Sequence, residues 1–343
     1  CAGWGYFVNN HLDTLDQEGE WYYDKAARRV YLYTTADPNA ALIEASVDFG
    51  DESRNPGLIN LGTDLADPVH DVVIENLEAR GSWLHGIASP NNLHPDENSA
   101  IVLRGNTLRD ADGSGIDLWS WVWGAADGLD GWRGGKNLLI TNNRILGANQ
   151  FGIHTPSRLT TITGNTIQDI ALIANLNESG MGCGIDGNEG SCTKCGAGLR
   201  IYTDDPDRSG YGFTVSGNRF ERVGYHGIQT FGGQSTISAN VFVDTCISKG
   251  DCGAINTFGN ESMAATYVND VQILNNLILN TIGNSDGAAP DFHSAFGFGI
   301  YIDHYSRYIT TRGNTVAYSS ATGILYQDSG GLIAENTLFQ NGQ

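Results

Sequence analysis

The stretches Ile162-Thr163-Gly164-Asn165 and Val215-Ser216-Gly217-Asn218 share one pattern, in which an asparagine comes three residues after a β-branched residue. Related segments end at nine asparagines: Asn76, Asn106, Asn143, Asn165, Asn218, Asn240, Asn276, Asn314 and Asn336. The intervals between them are 30, 37, 22, 53, 22, 36, 38 and 22 residues, so none is shorter than 22. A recurring shortest interval is typical of a solenoid, because each coil must return to the same place before the next one stacks on it.

A second pattern supports the first. A Gly-Ile pair occurs nine residues after four of the asparagines, at 115–116, 152–153, 227–228 and 323–324. Short strands with alternating polarity favour parallel pairing between coils over helices. The repeated asparagine suits a ladder of side-chain amides, or else simply holds a turn. The dense leucine pattern of a leucine-rich horseshoe is missing. The sequence therefore predicts an all-β chain folded as a right-handed parallel β-helix of about nine coils with loop insertions.

The N-terminal part carries a different block. Residues 15–24 read LDQEGEWYYD, residues 30–33 read VYLY, and the turn-forming residues 24–28 lie between these aromatic runs. The arrangement predicts a β-hairpin. We expect residues 1–50 to form this aromatic segment, packed on the solenoid, and residues 51–343 to form the β-helix. The chain stops just after the Asn336 turn without an evident cap, which predicts a segment of a longer protein.

Both patterns resemble known proteins. The coils resemble the right-handed β-helix superfamily of pectate lyases and related carbohydrate-active proteins. The N-terminal block resembles the "LD-x-x-GEWYYD … LYLY" block of bacterial secreted β-helix proteins, some of which are glycoside hydrolases acting on plant or algal polysaccharides. For nearly the whole chain the resemblance implies the β-helix fold. It implies an activity less specifically, because lyases, hydrolases and inert stalks share the same coil.

Composition limits the partners. The 343 residues carry a formal net charge of −20, which disfavours nucleic acid and anionic membrane surfaces. The same charge disfavours a polyanionic substrate unless Ca²⁺ or a local arginine patch mediates the contact. No stretch is apolar enough to span a membrane. We expect a polysaccharide as partner, with self-association or continuation into further domains as open alternatives.

Six cysteines point to disulfides. Cys246 and Cys252 bracket a short insertion, and we expect a disulfide to close it. In the largest insertion we prefer to pair Cys183 with Cys192 or Cys195, because the Cys-x-x-Cys pair lacks the second half of a zinc site. Cys1 and one further thiol stay unassigned. Disulfides predict a secreted or cell-surface protein.

The repeat also predicts which side chains share a face. In each Gly-Ile strand the isoleucine points inward, so the next residue and the one two further on point outward. The first set, the polar column, is Ala88, Asp117, His154, Arg200, Gln229, Asn256, Tyr301 and Leu325. The second set, the aromatic column, is Pro90, Trp119, Pro156, Tyr202, Phe231, Phe258, Asp303 and Gln327. Polar groups beside rings suit a sugar chain, whereas the alternative is a face covered by loops.

Two groups of residues are candidates for catalysis. Asp303 ends the segment Gly299-Ile300-Tyr301-Ile302-Asp303, which resembles a strand motif that carries a carboxylate in some β-helical hydrolases. Gln327 stands one coil on, where a hydrolase would need a second carboxylate. Asp117 lies five coils away from Asp303, or roughly 24 Å at about 4.8 Å per coil. Glycosidase carboxylates are separated by only about 5–9.5 Å, so these two aspartates cannot cooperate.

The second group surrounds Asp117. A histidine or tyrosine base with an arginine beside a uronate carboxylate would suit a lyase, and nearby acidic residues would suit Ca²⁺, the one cofactor we consider. We expect catalytic residues among Asp303, Asp117, His154 and Arg200. The expected substrate-binding residues are Trp119, Tyr202, Gln229, Phe231, Asn256, Phe258, Tyr301 and Gln327. The expected metal ligands are Asp204, Asp205 and Asp207.

The function that we prefer from the sequence is that of an extracellular carbohydrate-active protein, of glycoside hydrolase type, with a groove on the Gly-Ile strands. One alternative is a non-catalytic surface solenoid, such as an adhesin, sheath or filament subunit. The other is a Ca²⁺-dependent polysaccharide lyase.

Overall fold

The structure is a computed structural model, and it describes residues 11–43, 57–62, 68–89, 97–118, 120–122, 131–172, 196–202, 210–259, 268–284 and 295–342. For residues 120–122 and 131–133 it describes the backbone alone. The chain divides into two units, a small N-terminal one and a large one. Within the described residues no helix is long and apolar enough to cross a membrane.

The small unit contains the predicted hairpin. Strand β1 (Trp21–Asp24) pairs antiparallel with β2 (Arg29–Leu32). The carboxylate of Asp24 accepts hydrogen bonds at 2.9 Å from the backbone amides of Ala26 and Ala27, which holds the turn. Short 3₁₀ helices at Leu12–Thr14 and Pro38–Ala40 flank the hairpin.

The large unit is built from three parallel sheets of nine strands each, and the chain visits sheets I, II and III in turn. Sheet I comprises β4 (Val73–Glu75), β7 (Val102–Arg104), β12 (Leu139–Thr141), β15 (Thr161–Thr163), β18 (Thr214–Ser216), β21 (Thr236–Ser238), β25 (Gln272–Leu274), β29 (Ile309–Arg312) and β32 (Gly331–Ala334). Sheet II comprises β5 (Glu78–Arg80), β8 (Thr107–Ala111), β13 (Arg144–Ala148), β16 (Thr166–Ile170), β19 (Arg219–Val223), β22 (Val241–Thr245), β26 (Leu277–Thr281), β30 (Thr315–Ala317) and β33 (Thr337–Phe339). Sheet III comprises β3 (Gly57–Asn60), β6 (His85–Ala88), β9 (Ile116–Asp117), β14 (Ile153–Thr155), β17 (Leu199–Ile201), β20 (Ile228–Thr230), β23 (Cys252–Thr257), β27 (Gly297–Ile302) and β31 (Ile324–Tyr326).

This arrangement confirms the predicted parallel β-helix. Two short pairs lie outside the three sheets: antiparallel β10 (Ser120–Val122) with β11 (Gly131–Arg133), and parallel β24 (Val268–Asn269) with β28 (Ser306–Arg307). The core consists of inward side chains stacked from coil to coil, such as Ile116, Ile153 and Leu199 in sheet III. Burying each such side chain contributes about 1.5–3 kcal/mol, so the stacked coils stabilise one another.

The asparagine ladder lies between sheets I and II. Asn143 shows its geometry: Nδ2 donates to Asn165 Oδ1 at 3.0 Å and to the Leu103 carbonyl at 2.9 Å, while the backbone amide also donates to Asn165 Oδ1. Asn106 makes the same contacts to Asn143. The ladder continues through Asn218, Asn240, Asn276, Asn314 and Asn336. Each amide therefore joins neighbouring coils and satisfies buried backbone groups.

The first of the nine predicted ladder positions is wrong by one residue. Asn76 aligns with Gly105, and its φ of 57° places it in the left-handed turn that precedes the ladder. The ladder position is held by Leu77, whose amide donates to Asn106 Oδ1 at 3.1 Å. Asparagine tolerates positive φ better than most residues, so its presence at this turn mimics the ladder pattern in the sequence.

Exchanging Asn143 for aspartate tests the ladder at nearly constant shape. The Asn143→Asp variant loses both Nδ2 hydrogen bonds and places a carboxylate at a site that is 1% exposed. We expect the free energy of unfolding to fall by about 3 kcal/mol, measured by urea denaturation. The matched control is Asn142→Gly, because Asn142 has a φ of 54° that glycine adopts readily. An equal loss in both variants would contradict the role of the amide.

Candidate functional site

The register of sheet III places the polar column as the sequence predicts. Asp117 pairs with His154, His154 with Arg200, and Arg200 with Gln229. The column continues through Asn256, Tyr301 and Leu325. Because the aromatic column lies two residues further along each strand, its order is fixed by the same pairing. Tyr202, Phe231, Phe258, Asp303 and Gln327 consequently follow one another on successive coils.

The polar column is covered rather than open. The six residues of this column from Asp117 to Tyr301 have a relative solvent exposure of only 2–9%. This overturns the expectation of an open polar strip and matches the alternative of a covered face. The aromatic column is more accessible, since Tyr202, Phe231, Phe258, Asp303 and Gln327 are all partly exposed. A ligand would therefore meet the aromatic column first.

At one end of the column lies a buried Asp-His group. The carboxylate of Asp117 accepts from His154 Nδ1 at 3.2 Å and from Ser114 Oγ at 3.2 Å, and His85 Nδ1 is 3.8 Å away. Burial opposes ionisation of Asp117, but His85, His154 and these hydrogen bonds outweigh it and lower the pKa to about 2. Burial lowers the pKa of His154 in spite of Asp117. The group is thus a neutral imidazole held by a carboxylate.

In the middle of the column a guanidinium lies among rings. Cζ of Arg200 is 5.4 Å from the ring centroid of Phe151, 5.5 Å from that of Tyr202 and 5.2 Å from that of Phe231. Burial lowers the pKa of Arg200 to about 10, so that the side chain stays charged at neutral pH. Its Nε atom is buried and has no hydrogen-bond partner. The same is true of Oε1 of the adjacent Gln229. Cation–π contacts offset only part of the cost of burying this charge.

At the far end of the column two carboxylates meet at one hydroxyl. The hydroxyl of Tyr301 lies 3.4 Å from Asp251 Oδ1 and 3.1 Å from Gln327 Oε1, and the carboxylate of Asp303 is close enough to interact with both Tyr301 and Asp251. The side chains of Asp251 and Asp303 are therefore close enough for their charges to interact. Asp303 directly follows Phe258 in the aromatic column, so the row of rings leads to this pair.

The environment raises the pKa of both acids. Burial raises the pKa of Asp303, the charge of Asp251 raises it further, and hydrogen bonds from the His304 amide and Tyr301 act in the opposite direction. Desolvation also raises the pKa of Asp251, although the residue is exposed and the hydrogen bond from Tyr301 opposes the shift. Two nearby carboxyls that resist ionisation can share a proton and so supply an acid and a base together.

The next coil completes this end of the site. His304 Nε2 lies 3.0 Å from Gln327 Nε2 and 3.7 Å from Asp303 Oδ1, and His304 Nδ1 lies 2.9 Å from Asp328 Oδ2. Gln327 thus contacts both Tyr301 and His304. His304 in turn connects Asp303 with Asp328.

Asp251 is the residue that the sequence reasoning missed. It belongs to the loop 247–251, which the predicted disulfide between Cys246 and Cys252 closes, with a Cα–Cα distance of 6.0 Å. The same loop carries Lys249, whose Nζ lies 5.0 Å from the ring centroid of Tyr225. The only signal in the sequence was the position of Asp251, directly before a predicted disulfide cysteine and the strand β23.

Lys249 gives the fold a measurable pH dependence. Burial, with a smaller contribution from Arg200, lowers its pKa from 10.5 to about 7. Between these values the unfolded chain binds the proton more tightly, so the free energy of unfolding rises with pH across this window. Below pH 7 the cost of the buried charge is fully present.

We therefore expect Lys249→Met to be more stable than the wild type at pH 6. The difference in the free energy of unfolding between the two proteins should narrow from pH 7 to pH 10. Urea denaturation at several pH values measures this difference. Lys25→Met, in the exposed hairpin turn, is the control that should show no such narrowing. A constant gap for Lys249→Met would refute the lowered pKa.

Several predicted residues lie outside the described residues. They are Pro90, Trp119, Asp204, Asp205, Asp207, Cys1, Cys183, Cys192 and Cys195. Within the described part of the chain no group of three or more histidine, cysteine or acidic side chains could hold a metal ion. The proposed Ca²⁺ ligands therefore stay a prediction.

No protein-family model matches the chain, and no curated protein matches it in sequence. An alginate lyase from Paenibacillus sp. str. FPU-7 is 13% identical, with a TM-score of 0.36 over 80% of this chain and 76% of the lyase. The surface adhesin PfbA of Streptococcus pneumoniae is 12% identical, with a TM-score of 0.44 over 87% of this chain and 76% of the adhesin. A glycoside hydrolase is 14% identical, with a TM-score of 0.43 over 97% of this chain and 58% of the hydrolase. At these identities the likeness concerns the fold and transfers no activity.

Proposed function

We propose that this protein is an extracellular glycoside hydrolase in which Asp303 and Asp251 form the acid–base pair. The observation that carries the proposal is the meeting of the two carboxylates at the hydroxyl of Tyr301, at the end of a row of aromatic rings. The disulfide Cys246–Cys252 supports an oxidising, extracellular location.

The aromatic column supplies the sugar platform. The ring centroids of Tyr202 and Phe231 are 5.7 Å apart, and those of Phe231 and Phe258 are 6.0 Å apart. Partly exposed rings at this spacing offer apolar faces to the C–H bonds of successive sugars. A chain that follows these rings arrives at Asp303, the next residue of the column.

The different surroundings of the two carboxyls suit them to different catalytic roles. Asp303 is the more enclosed, with a side chain that is 15% exposed, and it is suited to hold a proton and give it to the glycosidic oxygen. Asp251, the more exposed, then acts as a carboxylate, either attacking the anomeric carbon or taking a proton from the attacking water. The configuration of the released sugar distinguishes the two routes.

A panel of neutral and acidic polysaccharides, assayed for new reducing ends, tests this function. The wild type should release reducing ends from at least one glycan, and Asp303→Asn should not. Release of unsaturated sugar ends, detected by ultraviolet absorbance, would instead assign the lyase alternative. Equal release by both proteins would remove Asp303 from the mechanism.

A non-catalytic sugar-binding solenoid is the second candidate. It is favoured by the covered polar column, in which Asp117 and His154 bond each other and are at most 8% exposed. Binding of a glycan without turnover on the whole panel would support this candidate over the hydrolase.

A further inference from the structure

The middle of the polar column holds a cation that forms no ion pair within the described part of the chain. Arg200 is 9% exposed, and no carboxylate of the described residues forms an ion pair with it, although the charge of Asp117 acts on it from further away. Its Nε atom and Oε1 of Gln229, one coil on, are both buried without a hydrogen-bond partner. A buried guanidinium in a protein is normally paired, because removing its charge from water is costly. The lack of an ion pair at Arg200 therefore needs an explanation.

The local charge contrasts with the rest of the molecule. The chain carries a net charge of −20, yet Lys249 stands near Arg200 on this face, close enough for the two cations to interact. Tyr202 and Phe231, whose rings flank the guanidinium, are partly exposed. A sugar stacked on these two rings lies against Arg200, so an oxyanion on that sugar could reach it.

We infer that Arg200 and Gln229 form a subsite for a sugar bearing an oxyanion, either a carboxylate or a sulfate ester. The guanidinium donates to the oxyanion with its planar fork, and the side chain of Gln229 bonds a neighbouring hydroxyl. Lys249, when protonated, adds positive charge to the same region. The inference rests on the proposed function only in taking the ligand to be a glycan.

The subsite is remote from the bond that is cleaved. Arg200 and Tyr301 are separated by three strand steps, through Gln229 and Asn256, which is about 14 Å at about 4.8 Å per step. At that distance the guanidinium cannot act on the reacting atoms beside Asp303. It selects the substrate by a charged group that lies further along the chain, and it positions that chain on the rings.

Binding by isothermal titration calorimetry tests the subsite. The probes are an oligouronate, its carboxyl-reduced neutral counterpart and a sulfated neutral oligosaccharide of the same length. We expect the wild type to bind one of the two anionic probes at least about 10-fold more tightly than the neutral one. The preferred anion identifies the oxyanion as a carboxylate or a sulfate. Equal affinity for all three probes would overturn the inference.

Arg200→Gln should lower the affinity for the preferred anionic probe and so abolish the preference, while Arg200→Lys should retain part of it. The control is Arg144→Gln, which removes the same charge from an exposed position in sheet II. Because Arg200→Gln removes an uncompensated buried charge, its melting temperature should equal or exceed that of the wild type. Strong destabilisation, or an equal loss of preference in Arg144→Gln, would show that Arg200 is structural.

Binding and cleavage are scored separately, so the two proposals can fail independently. A preference for an anionic probe without any release of reducing ends supports the subsite and contradicts the hydrolase alone. Cleavage without a preference contradicts the subsite alone.

Discussion

Replacing Asp303 with asparagine is expected to lower the turnover of a natural glycan by about 10³-fold, because general acid catalysis typically contributes 10²–10⁴-fold. The protein should remain folded, since Oδ1 of asparagine can still accept the hydrogen bond that Asp303 Oδ1 receives from the His304 amide at 2.8 Å. Circular dichroism and the melting temperature verify the fold. Steady-state kinetics with a polysaccharide measure the loss.

The leaving group identifies the role of each carboxyl. An aryl glycoside with an acidic phenol needs no protonation, so Asp303→Asn should lose far less activity on it than on the polysaccharide. Asp251→Asn should lose activity on both substrates, because the base or nucleophile is needed in either case. A merely structural change at Asp303 would lower both rates alike and would contradict its role as acid.

The pH profile provides a second signature. Asp303 must be protonated and Asp251 ionised, so activity should fall as the pH rises through the raised pKa of the acid. The pH at which activity falls should lie above the ordinary pKa range of an aspartate. This fall should disappear in Asp303→Asn when the aryl glycoside is the substrate. Asp328→Asn is the control: its side chain is 76% exposed and contacts His304 rather than the pair. A similar loss in this variant would indicate a general effect of charge.

The fold was predictable because it depends on a pattern of residues that recurs from coil to coil along the sequence. An asparagine that must bond its counterpart in the next coil recurs at a fixed place, as Asn143 and Asn165 do, and the inward isoleucines recur with it. The register of the polar column followed from the same rule. Only Asn76 was wrongly assigned to the ladder, because the turn residue before the ladder position can also be asparagine.

The candidate site was only half predictable because it depends on a loop. Asp303 lies on a coil and could be placed by counting, whereas Asp251 reaches Tyr301 from a loop of another coil, 50 residues earlier in the chain. Periodicity says nothing about where such a loop folds. The covering of Asp117 and His154 could be given only as an alternative for a related reason: alternation along a strand tells outward from inward, but not whether the outward face is covered.

Loss of the Cys246–Cys252 disulfide should have the second-largest effect, a fall in turnover of about 10²-fold without loss of the solenoid. Both cysteines are fully buried, and the short loop between them carries Lys249 and Asp251. A displacement of about 1 Å in a reacting group can cost 10²-fold in rate. Closing so short a loop contributes only about 2 kcal/mol in the chain-entropy model. Catalysis should therefore be more sensitive than folding.

The double variant Cys246→Ala/Cys252→Ala is the proper test, since a reductant would also act on the other four cysteines of the chain. If the loop acts by placing Asp251, adding Asp251→Asn to this variant should lower turnover little further, because both changes remove the same function. Independent roles would instead multiply the two losses. Full activity in the double cysteine variant would mean that Asp251 is held by strand β23 alone, and the disulfide would then have no part in catalysis.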